Sequence, residues 1–254
     1  MNRVPYAIGV ASLGAVCLIF KDFALQWQSA PDWLKAIPFA AMVSALWLLA
    51  TGLALLFEKM AWFGAISAGV LFGVWALVFN GPLAAANPSQ IYLWLGVCES
   101  GCLMAAGLAL AGAGIRDERV AAQIVLAARI VFGLCAIVFG ASHFAYAEVT
   151  AKMVPEWLFY PIGWAYLTGA GHLVAGLALV SGVQARLAAG LEAAMCACFV
   201  VLLHIPRVIA APTSQIEWTM TCIALSITGA AWIIRSYTNT PVSVLVTRPE
   251  RAGA

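Results

Sequence analysis

Charge is what this sequence has least of: Asp, Glu, Lys and Arg make up 9% of its 254 residues, while 64% are apolar. A soluble domain carries about a quarter charged residues, so the composition excludes a water-soluble globule and requires lipid as solvent. A formal charge of +2, scattered along the chain, excludes the basic patch that holds nucleic acid, and no such partner is expected. No nucleotide-binding glycine motif or iron–sulfur cysteine run is present. The histidines and cysteines also lack the close ligand spacing of a metal site, so no metal is expected.

A disulfide framework is excluded too. The seven cysteines, Cys17, Cys98, Cys102, Cys135, Cys196, Cys198 and Cys222, all fall inside apolar runs and read as reduced, buried small side chains. Three residues separate Cys98 from Cys102, not the two of a thioredoxin-like pair. The apolar start has no small-residue cleavage site, since Lys21 and Asp22 stand where one would fall; a retained first helix is predicted. No strand pattern competes with helix.

What is present in abundance is the membrane-length apolar run. Crossing a hydrocarbon core of roughly 30 Å takes about 20 residues, which predicts spans at 5–21, 38–57, 61–80, 90–113, 124–147, 161–181, 187–206 and 217–235. The fold class expected is an all-α integral membrane protein of about eight transmembrane helices. Arg3, Lys59, Arg116, Arg119, Arg186, Arg235, Arg248 and Arg251 then share one face, against Lys21, Lys35, Lys152 and Arg207 on the other. Because basic residues are retained inside, both termini are predicted to be cytoplasmic in a bacterial-type inner membrane.

Slid by 124 positions, the separation of Pro31 from Pro155, the sequence matches itself. Pro31-Asp32-Trp33-Leu34 meets Pro155-Glu156-Trp157-Leu158, and Gly52-Leu53-Ala54-Leu55 meets Gly176-Leu177-Ala178-Leu179. Gly9, Phe20, Pro82, Pro88, Trp94 and Cys98 meet Gly133, Phe144, Pro206, Pro212, Trp218 and Cys222. Two tandem four-helix units follow; an even number of spans makes them parallel, not inverted. The expected division is a first unit over 1–115, a charged cytoplasmic linker over 116–123, a second unit over 124–236 and a loosely ordered polar tail over 237–254. In each unit the Pro-acidic-Trp segment suits an interfacial turn or short helix.

Polar side chains in hydrocarbon are costly and normally face the bundle interior, so each is a candidate. His143, His172 and His204 lie on three successive helices of the second unit, and their repeat partners are Ile19, Leu48 and Asn80. Arg129, Gly133, Ala136, Gly140 and His143 fall on one narrow face of the fifth span, open to close approach by a helix or a ligand. Arg129 and His143 stand about 14 residues apart, too far at 1.5 Å per residue to touch one small ligand. Thr168 and His172 share a face of the sixth span. All three histidines can line one outward-opening cavity, where imidazole can ligate haem iron, hydrogen-bond a quinone or relay protons. Glu99, read as the one deep carboxylate, is either a proton-handling group or a structural one.

From Arg129 to Gly182 the chain resembles the DoxX-like family of small four-helix membrane proteins. The resemblance rests on Arg129 and Gly133, on Gly140 to Phe144, on the Val154-Pro155-Glu156-Trp157 turn, and on Gly169 to Gly176 with the run ending at Gly182. In that family a basic or imidazole residue is common near the position of His143 and a carboxylate near that of His172, which here is His. Members with an assigned role are linked to quinone-coupled sulfur oxidation. The resemblance therefore implies a redox-linked subunit that binds quinone or haem and takes electrons from a partner protein. A proton-coupled carrier of a small hydrophobic or weakly acidic solute, and a membrane scaffold or assembly factor, are the competing expectations.

Overall fold

A computed structural model describes residues 2–238; the tail with Arg248 and Arg251 lies outside the described residues. Among these, every regular element is helical. The long helices in chain order are α1 (Val4–Phe20), α2 (Ala40–Leu56), α3 (Glu58–Ala86), α4 (Ile91–Ala113), α5 (Glu118–Ala145), α6 (Pro161–Ser181), α7 (Ala185–Ala210) and α8 (Gln215–Tyr237). Six of them, α3 to α8, are long and apolar enough to cross a membrane by length and composition. Helices α1 and α2 are apolar but have 17 residues each, about 25 Å at the helical rise.

Three boundaries differ from the sequence expectation, each for a local reason. Helix α5 begins at Glu118, inside the stretch expected to be linker, because the Asp117 carboxylate caps it by accepting from the backbone N–H of Arg119 (2.9 Å) and Val120 (3.1 Å). Helices α3 and α7 continue past Pro82 and Pro206 to Ala86 and Ala210. A proline removes one helical hydrogen bond and crowds the preceding turn. Here a wider π turn, Trp75–Asn80 in α3 and Val200–His204 in α7, precedes each proline and takes up that misfit.

The helices form a ring in chain order, closed by packing of α1 on α8, while α4 and α8 meet across the middle. Helices α1, α4, α5 and α8 therefore carry the seam between the two halves of the chain. Within the first half, the fully buried Tyr6 donates to the carbonyl of Leu103 (2.7 Å) and ties α1 to α4. Hairpin α2–α3 turns at Phe57 and hairpin α6–α7 at Gly182, whose φ of 82° suits glycine. The opposite, long-loop end carries the short helices Asp32–Lys35 and Ala147–Ala151, with Trp33 and Trp157 exposed.

Candidate functional site

The small-residue face of α5 is a helix-packing surface. A Cβ on Gly133 would stand 2.9 Å from the Gly176 carbonyl, and one on Gly140 would stand 2.7 Å from the Gly169 carbonyl, so α6 lies directly on this stripe. The polar residues at its two ends have separate surroundings. Arg129 is buried at the hairpin end with its guanidinium against Gly182, and its Nε has no partner. His143, half-buried at the long-loop end, reaches α6.

Thr168 Oγ1 donates to the carbonyl of Trp164 (2.8 Å), so its lone pairs face His143 Nδ1 at 2.9 Å. The same nitrogen lies 3.3 Å from the Ala165 carbonyl. A carbonyl only accepts, which assigns the proton of neutral His143 to Nδ1 and leaves Nε2 with a bare lone pair. The imidazole of His172 stands edge-on to His143, ring centroids 5.1 Å apart. Phe139 packs edge-on against His172 at 5.7 Å, and Phe199 lies 6.4 Å from His143 and 6.0 Å from His172.

His172 Nδ1 meets the carboxylate of Glu192 on α7 at 2.6 Å, with side-chain exposures of 5% and 0%. Glu192 Oε2 is buried without a partner, and Cys196 Sγ stands 4.0 Å from Oε1. Isolated charge in such a place is costly, so the pair holds together by mutual hydrogen bonding. The result is a continuous polar line, Glu192, His172, His143 and Thr168, across three helices and closed on its flanks by aromatic rings.

Glu192 went unrecognised in the sequence, where Glu99 stood as the one deep carboxylate. Glu192 is 1% exposed and Glu99 is half-buried. A signal was available: His172 and Glu192 lie ten positions either side of Gly182, so a tight antiparallel hairpin puts them at one depth. Glu99 joins a different group, beside the buried indole of Trp27. His204 is also apart from the polar line. It sits on the π turn of α7 with Nδ1 unpartnered, and Arg207 and Glu217 are its charged neighbours. Those two form a two-pronged ion pair, at 2.8 and 2.7 Å. The structure thus joins His143, Thr168 and His172, and leaves Arg129, His204 and Glu99 at three other places.

A cavity of about 740 Å³ opens at the long-loop end of the first half, between the segment holding Asp22, Asp32, Trp33 and Lys35 and the α3 residues Phe79 and Pro82. Among the described residues no three His, Cys, Asp or Glu side chains converge as a metal ion would need.

A helical chain with six membrane-length apolar helices and a polar line buried among three of them belongs to the class of multi-pass membrane proteins. Residues 124–205 match the DoxX family model, so the second half carries a DoxX domain, one that contains His143, Thr168, His172, Glu192 and His204. No curated protein and no solved structure matches the chain.

Proposed function

We propose that the DoxX half binds an isoprenoid quinone at the His143 end of the polar line, as a redox-linked subunit of a bacterial-type inner membrane. The carrying observation is the buried His172–Glu192 contact, continued to the half-buried His143. Ionisable groups at such depth favour handling of protons or a polar ligand. His143 Nε2, turned away from Thr168, can hydrogen-bond a quinone or quinol oxygen. His172 and Glu192 can hold or pass a proton behind it, and Phe199 and Phe139 exclude water. Haem fits this site less well, because the imidazoles pack on one another and on two phenylalanines and leave no slot for a macrocycle. Electrons reach such a subunit from a partner protein.

The same reading takes all eight long helices as membrane-crossing, arranged as two tandem parallel units with both termini cytoplasmic. Helices α4 and α8 begin and end 124 positions apart, as do the turns Gly81–Ala86 and Ile205–Ala210 after the two π segments. Trp94 donates to the Pro88 carbonyl and Trp218 to the Pro212 carbonyl, at 3.2 and 2.8 Å. Arg3, Lys59, Arg116, Arg119, Arg186 and Arg235 at the hairpin end support the orientation.

The test is a lipid extract and an absorbance spectrum of the detergent-purified protein beside His143→Ala and His172→Ala. Quinone present in the parent and lost from both variants supports the site. A quinone-free parent that also fails to bind added quinone contradicts it.

A further inference from the structure

The seam between the halves holds a group of thiols that the polar line does not use. Cys98 and Cys102, one helical turn apart on α4, have the Cys135 thiol of α5 as a neighbour. The exposures are 6%, 0% and 6%. Gly101 makes the room: a Cβ there would stand 3.0 Å from Cys135 Sγ, so the missing side chain lets the α5 sulfur sit between the two α4 sulfurs. The spacing within α4 is wrong for a redox pair along one helix, but the third sulfur comes from a neighbouring helix and removes that objection. A further thiol, Cys196, stands at the polar line itself, 4.0 Å from Glu192 Oε1.

We propose that Cys135 with Cys98 or Cys102 is a buried dithiol–disulfide site that delivers two electrons to quinone, an inference that rests on the quinone reading above. Two S–H bonds break and one S–S bond forms. The two electrons and two protons released are accepted by the quinone's two carbonyl oxygens, giving quinol. Glu192, with Oε2 unpartnered, heads the line through His172 and His143 along which the released protons travel towards the open end. The third thiol can attack the Cys135 sulfur of the new bond and release the first α4 thiol, so the disulfide can shift between α4 partners without leaving the site.

The test counts thiols. The purified protein is reduced, freed of reductant under argon, and incubated with a fully substituted short-chain benzoquinone, on which thiol addition is blocked. It is then denatured, labelled with N-ethylmaleimide and weighed intact. From seven cysteines the expected count is five labels, with one equivalent of quinol and a mapped cross-link from Cys135 to α4. Cys135→Ser is expected to keep all its labels, and Cys198→Ser to lose two like the parent. Diamide, which oxidises thiols without quinone, runs in parallel. Full labelling after both oxidants overturns the site, and oxidation by diamide alone overturns quinone as the oxidant. Quinone retention measured on the same sample separates the readings: a parent that retains quinone yet keeps every thiol overturns this inference only.

Discussion

The two halves of the chain are both helical and differ in what they bury. At positions 124 apart, Leu48 and Ala68 in the first half stand where His172 and Glu192 stand in the second, and Ile19 where His143 stands. Ser44 and Thr168 correspond and both carry a hydroxyl, yet each serves a different partner. Ser44 accepts from Gln28 Nε2 at 2.9 Å, and Gln28 Oε1 accepts from the backbone N–H of Ala24 at 3.0 Å. That fastens the segment from Phe23 to Ala30 into the bundle with Phe23, Trp27 and Gln28 buried. Thr168 bonds His143 instead. One half therefore packs its own loop into the bundle, and the other buries a pair of ionisable groups.

The largest expected effect comes from breaking the pair that sets the halves apart. His172→Leu or Glu192→Ala alone leaves a buried ionisable group without its partner and should cost about 3–5 kcal/mol, read as a fall in thermal midpoint in detergent. The double substitution, which installs the first half's own residues, should recover most of that loss. A double variant as unstable as either single one would show that the pair does not set the balance.

A smaller effect tests what the halves share. A Cβ on Gly52 would stand 2.3 Å from the Ala11 amide nitrogen, and one on Gly176 would stand 2.6 Å from the Gly133 carbonyl. The α1–α2 and α5–α6 seams are thus backbone-to-backbone contacts, so Gly52→Val and Gly176→Val should each destabilise by about 1–3 kcal/mol. A large effect in one and none in the other would mean that the two helix pairs are not packed alike. Smaller again, Trp94→Phe and Trp218→Phe each remove one hydrogen bond to a proline carbonyl, at about 0.5–1.5 kcal/mol. The smallest is Arg207→Gln. With 40% of the Arg207 side chain exposed, the loss of its pairing to Glu217 should stay within about 1 kcal/mol.

Much of the architecture was legible in the sequence because apolar runs of membrane length admit only helix, and the helix positions agree within a few residues except where a cap or a π turn moves an end. Asp117 moves α5 forward by a capping bond that composition does not display. Pro82 and Pro206 look like helix ends and are bridged by a wider turn. The site was half legible. His143, Thr168 and His172 meet because α5 and α6 pack on glycines that the spacing had aligned. Glu192 escaped notice because it looks like a stray charge until the hairpin about Gly182 is folded. His204 was grouped with the other histidines by residue type, but it lies on the π turn, beside Arg207 and Glu217.

The central claim, that the second half's His–Glu line holds a quinone, is tested most directly with the double variant His172→Leu/Glu192→Ala, because its stability is expected to survive. Parent and double variant are purified side by side, extracted, and assayed for bound quinone per mole of folded protein. The account predicts quinone in the parent and little or none in the folded double variant. Equal quinone in both would contradict it.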